Sequence, residues 1–169
     1  MIIKDETRVP EFLKMLKELT STHLEIGVFG EDDFEMLMIA NVNEFGIQIE
    51  VTEKMRNYLR VIGLPLKNDT KYINIPERSF IRAGYDEYKN SFIEETEPLL
   101  ERVINLELPV DIFFETLGEL IVGKIQLYLI NLKEPENHPF TIAQKGSSNP
   151  LIGKTSHLVD SITHKVVKN

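Results

Sequence analysis

Cysteine is absent from the 169 residues, and with it go disulfides, thiol nucleophiles and cysteine-ligated zinc. Basic charge is short as well: 19 Lys and Arg face 27 Asp and Glu, a net charge of −8. A surface that holds nucleic acid by neutralising phosphates needs the opposite balance, so no specific nucleic-acid binding is expected. Long apolar runs are missing. Residues 121–132 come closest, but Lys124, Gln126 and Asn131 interrupt them, and a bilayer span needs about 20 apolar residues. The first residues, Met1-Ile2-Ile3-Lys4-Asp5-Glu6, hold no apolar signal core. A cytoplasmic setting without membrane contact is the expectation.

Catalytic signatures are also scarce. Gly153-Lys154-Thr155 has the look of the end of a phosphate-binding loop, but the glycine required five residues earlier is Ser148, and Pro150 sits inside the would-be cradle. The histidines are His23, His138, His157 and His164. Strand alternation would put His157 and His164 on opposite faces, no carboxylate shares a metal-ligand spacing with either, and all four read as surface residues. No serine lies in a nucleophile-elbow context. The carboxylates Glu94, Glu95, Glu97 and Glu101 read as a solvated helix face. No catalytic residue, metal site or cofactor is expected.

What is present is an ordinary folding composition, 42% hydrophobic and 27% charged. A chain of this length buries about 70% of its unfolded surface as one domain. Residues 9–19 have helical spacing, with Phe12, Leu13, Leu16 and Leu19 on one face and Pro10 in the first turn. Residues 23–29 alternate as a half-buried strand. Glu31-Asp32-Asp33 forms an acidic helix start, and a second helix over 34–44 ends at Phe45-Gly46, with Gly46 suited to a left-handed stop. Residues 46–75 read as an excursion. A strand at 47–51 leads to Thr52 as N-cap, a helix over 53–62 with Met55, Tyr58, Leu59 and Ile62 inward, a loop, and a returning strand at 72–75.

The stretch Ile75-Pro76-Glu77-Arg78-Ser79-Phe80-Ile81-Arg82 divides this part from a helical half. Pro76 biases Ile75 to extended geometry, Ser79 is the expected N-cap, and Phe80 starts an apolar stripe. The stripe continues through Tyr85, Tyr88, Phe92, Leu99, Val103 and Leu106, with Pro98 expected to kink or restart the helix. A second stripe after Pro109 runs through Phe113, Leu117, Leu120, Ile121, Tyr128 and Leu132. Two long antiparallel helices follow, without coiled-coil heptads. Residues 133–144 are punctuated by Pro135 and Pro139, residues 144–156 make a polar flexible loop, and 158–167 alternate as a last strand. The fold class expected is α+β: a small, mainly antiparallel sheet with two long helices packed on one face, plus short helices.

Several segments carry a further signal in their order. They are Leu24-Glu25-Ile26-Gly27-Val28-Phe29-Gly30, then Ile39-Ala40-Asn41-Val42-Asn43-Glu44-Phe45-Gly46, then residues 75–82, and finally Pro139-Phe140-Thr141-Ile142-Ala143-Gln144-Lys145-Gly146-Ser147-Ser148-Asn149-Pro150-Leu151-Ile152 with Leu158 and Ser161-Ile162. The series spans most of the chain and resembles the neck or tail-completion proteins of long-tailed bacteriophages and prophages, minor tail components involved in head–tail joining. One departure is clear. The family commonly continues Pro-Leu-Ile with Asp-Thr-Gly, whereas this chain has Gly153-Lys154-Thr155.

The resemblance implies a non-enzymatic virion assembly part, made in the host cytoplasm. It would act through contacts with other phage tail and connector proteins, usually as rings of identical subunits, a hexamer being one candidate ring size. A net charge of −8 suits the wall of a channel that must not trap passing DNA. The alternative is a small enzyme or regulatory module of a mobile element, which would need a cleft of converging polar groups. The candidate subunit or partner contacts are Glu44, Phe45, Gly46, Arg78, Phe80, Arg82, Lys145, Asn149, Pro150 and Leu151. Each has a plainer reading: the arginines solvated or paired with Glu77 and Asp86, Phe45 and Phe80 as core anchors, Gly46 as a helix stop.

Overall fold

The computed structural model describes residues 7–31, 33–153 and 155–169. Asp32 of the acidic helix start and Lys154 of the Gly-Lys-Thr stretch lie outside them. The chain begins with helix α1 (Val9–Ser21), which feeds strand β1 (Thr22–Gly27). Helix α2 (Phe34–Phe45) follows, its first turn capped by the Asp33 carboxylate, which accepts from the Met36 N–H at 3.0 Å. Then come β2 (Ile47–Glu50), α3 (Glu53–Val61) and β3 (Tyr72–Ile75). The long helices are α4 (Ile81–Ile104) and α5 (Val110–Asn131). Short helices α6 (Pro139–Lys145) and α7 (His157–Asp160) precede the last strand, β4 (Thr163–Lys168).

The fold is α+β, with α4 and α5 packed on each other as an antiparallel hairpin. Gly84 near the start of α4 lies against Tyr128 near the end of α5, where a Cβ would approach the Tyr128 Cβ to 3.2 Å. At the other end Val103 shares a cluster with Val110 and Phe113. The larger core sits where α5 meets β1, α7 and the start of α4, around Phe80, Ile125, Leu129 and Ile162, each 2% exposed or less. Burying each such side chain stabilises the fold by about 1.5–3 kcal/mol.

The β component differs from a single sheet. β1 pairs with β4, Thr22 opposite Lys168 and Gly27 opposite Thr163. β2 pairs only with β3, Ile47 opposite Ile75. The excursion pairs with itself, so it forms an arm on the body. Arg56 in α3 closes the arm's loop by donating to the Lys67 and Thr70 carbonyls, both at 2.7 Å. Tyr58 and Ile62 were expected inward; they are 63% and 37% exposed, because nothing among the described residues packs over that side of α3.

Other expectations need correction. At Pro98 the helix does not restart, since α4 runs on through it; its position is exposed, so water can take the carbonyl that a missing N–H leaves free. Helix α6 runs over residues 139–145, so only its last two residues, 144 and 145, fall in the expected loop of 144–156. The last strand starts only at Thr163, because Leu158, Val159 and Ile162 turn into the core at helical spacing. His157 therefore belongs to α7 and shares no strand with His164. His164 is not a surface residue: its side chain is 13% exposed, sits over Gly118 of α5, and lies 2.9 Å from the Glu115 carboxylate.

Candidate functional site

Three of the segments that carry the family resemblance are brought together at one junction. Its centre is Glu44, in the last turn of α2 and 4% exposed. A carboxylate there opposes the α2 dipole, but it also reaches the start of α4. One oxygen accepts from the Phe80 N–H at 2.7 Å and the Ile81 N–H at 2.9 Å. The other accepts from the Ser79 hydroxyl at 2.8 Å, the Arg82 N–H at 3.1 Å and the Arg82 Nε at 3.0 Å. Glu44, not Ser79, therefore caps α4; the Ser79 hydroxyl donates to the cap. Burial acts to raise the Glu44 pKa, but the bonds from Ile81, Arg82, Ser79 and Phe80 outweigh it and hold the carboxyl below its usual range.

Gly46 makes the junction possible. It is the C-cap that stops α2, and its φ of +67° with ψ 164° turns the chain straight into extended geometry. A Cβ there would lie 2.8 Å from the Glu77 nitrogen and 3.0 Å from the Ile75 carbonyl oxygen. The root of the arm is thus a close crossing of residues 46 and 75–77.

Arg78 carries the network onward. It is 5% exposed and donates to the Pro135 carbonyl at 2.7 Å, the Glu136 carbonyl at 3.1 Å and the Asn137 Oδ1 at 3.1 Å. Its own N–H donates to the Asn43 carbonyl at 2.7 Å. Asn137 then donates to the Pro150 carbonyl at 2.8 Å, which also accepts from the Lys145 Nζ at 2.8 Å. Burial, and then the nearby Arg78 charge, push the Lys145 pKa down.

Asn149 completes the chain of bonds. Its Nδ2 donates to the Leu129, Ile130 and Leu132 carbonyls at 3.2, 2.9 and 3.2 Å. The Ile130 and Leu132 carbonyls are acceptors at the end of α5, where the helix's own N–H groups run out, and the Leu129 carbonyl also accepts from the Leu132 N–H at 3.2 Å. Its Oδ1 accepts from the Leu151 and Ile152 N–H groups at 2.8 and 2.7 Å. Leu151 drops into the main core.

As a docking face, the candidate set divides. Glu44, Arg78, Phe80, Pro150 and Leu151 are buried within the chain, so they hold the junction together and do not reach a neighbour from where they stand. Arg78 is not a solvated arginine, and neither Glu77 nor Asp86 is its partner. Arg82 does pair with Glu77, at 2.9 Å. Phe45 is no core anchor; it is 61% exposed, with the Arg82 guanidinium 4.7 Å from its ring centre. The surface of the junction is therefore Phe45, Arg82 and Glu77. Phe34 and Met38, 74% and 53% exposed, extend it along the same face of α2.

Asn43 and Asn137 belong to the network, and residue spacing did not reveal them. An available signal was Glu44 itself, an acidic residue in a helix's last turn with no cation beside it.

A 560 Å³ cleft elsewhere gathers Asp33, His157, Asp160 and Ser161. Asp33 is committed to the α2 cap, and the Ser161 hydroxyl donates to the Leu158 carbonyl at 2.9 Å. Neither is poised as a base or nucleophile. No helix among the described residues is long and apolar enough to cross a membrane. No protein-family model, curated protein or solved structure matches the chain.

Proposed function

We propose that this chain is a structural assembly protein of a long-tailed bacteriophage, acting at the tail or head–tail junction. It works by contacts with other tail and connector proteins and with copies of itself in a ring. The observation that carries the reading is the exposed apolar surface. Phe34, Met38 and Phe45 on α2, Tyr58 and Val61 on α3 and Tyr72 on β3 are each at least 50% exposed. Large apolar side chains displayed in groups mark protein contact surfaces. The junction beneath supports the reading, because it holds α2 and the arm's root against α4 with charge-assisted bonds.

The test is deletion of the gene from the phage or prophage that carries it, with electron microscopy of the lysate. Separate filled heads and tails, restored to whole particles by the gene in trans, are expected. Whole infectious particles from the deletion strain would overturn the proposal.

A further inference from the structure

The arm and the outer face of the α4–α5 hairpin are complementary, and we infer that the arm of one copy docks into the hairpin groove of the next. The inference deepens the ring reading and rests on it for the repeat of one contact around a closed assembly.

The groove measures 740 Å³ and is floored by Phe92, Leu100, Leu117 and Ile121, with Tyr85 and Ile93 at its lip. Ile93 is 67% exposed and Tyr85 50%. No residue of the arm lines it. Its charged lining is one residue of each sign, Lys89 and Glu97, on a helix that carries six carboxylates against three cations overall.

The arm has the opposite character. Residues 46–75 hold five Lys or Arg and three Asp or Glu, a net +2, which leaves −10 for the rest of a chain of net −8. On α3 the cations Lys54, Arg56 and Arg60 outnumber Glu53. Tyr58, Val61 and Ile62 are 63%, 83% and 37% exposed, and their i, i+3, i+4 spacing places them on one face. A short basic helix with an apolar face fits an apolar groove on a helix of net negative charge. Charge complementarity between two parts of one chain selects a second copy as the occupant.

The contact is heterologous. Each copy offers one arm and one groove, so the contact repeats head to tail and either closes into a ring or runs on as a filament.

The test uses Val61→Glu in the arm and Ile93→Lys in the groove, both at exposed positions. Far-UV circular dichroism and thermal melting check that each variant folds as the parent does. Sedimentation velocity is run on the full chain over a concentration series, at low and high salt. The parent is expected to form higher oligomers that weaken with salt. Each single variant is expected to lose at least ~10-fold in association. An equimolar mixture of the two is expected to stop at a 1:1 dimer, because the intact arm of Ile93→Lys meets the intact groove of Val61→Glu.

Variants that assemble as the parent does overturn the docking and leave the assembly reading standing. Single variants that stay monomeric when mixed overturn the head-to-tail pairing. A parent that stays monomeric at every concentration overturns the inference; the deletion phenotype then decides the assembly reading on its own.

Discussion

Glu44 can be removed without touching the core, and the consequence can be worked out from its bonds. In Glu44→Ala the buried Phe80 N–H and the half-buried Ile81 N–H lose their acceptor. Each such orphaned donor costs about 1–3 kcal/mol. Arg82 is 53% exposed in its side chain, so water takes over its guanidinium and it adds little. Two such donors put the expected loss at about 2–6 kcal/mol. For a chain of this size that lowers Tm by about 4–24 °C, at about 2–4 °C per kcal/mol.

Urea unfolding at neutral pH measures the loss, and Glu44→Gln separates charge from shape. Glutamine keeps one acceptor oxygen, so its loss should be smaller than that of alanine. The pH dependence supplies the sharper check. The folded-state carboxyl is more acidic than the unfolded one, so protons bind preferentially to the unfolded chain. The Glu44 contribution is complete above the unfolded pKa of about 4.3 and is lost as pH falls through the lower folded value. The stability gap between parent and Glu44→Gln should therefore close in that acid window. A loss under about 1 kcal/mol for Glu44→Ala, or a gap unchanged down to the most acid pH at which the chain folds, would refute the cap.

Three further changes probe the rest of the junction. Arg78→Lys keeps the charge but loses the planar fork shared by the Pro135, Glu136 and Asn137 oxygens; urea unfolding should show a loss of about 1–3 kcal/mol. Gly46→Ala forces an L residue to φ +67° with its Cβ against Glu77; a loss above about 1–2 kcal/mol is expected from calorimetry, and a neutral result would contradict the crossing. Asn149→Ala frees the carbonyls at the end of α5 and two N–H groups beyond. Hydrogen exchange should speed at Leu151 and Ile152 before it speeds in the middle of α5.

The elements were legible because their signals are local. Thr52 caps α3 as its position suggests, with the Met55 N–H at 3.2 Å, and Gly46 ends α2. The alternation of Leu24, Ile26 and Val28 marked β1, and the stripes after Phe80 and Pro109 marked the hairpin. What was not legible depends on distant partners. Ser79 has the composition of a cap, yet the bond that caps α4 comes from a residue 35 positions earlier than Ser79. Arg78 has the composition of a surface charge, yet its acceptors lie 57 to 59 positions later. Phe45 has the composition of a core residue, but the core beneath α2 is filled by Ala40, Val28 and Phe80. Candidate residues grouped by sequence motif did meet in space. Most of them met as the internal fastening of the junction rather than as an outer face.

The claim that this chain is a ring-forming part of the head–tail junction is tested most directly by cryo-electron microscopy of purified virions, with the neck region reconstructed separately. The account predicts a ring of density that accepts copies of this fold, with the arm of each against the α4–α5 hairpin of its neighbour. A fully resolved neck and tail that hold no copy of the chain would contradict it.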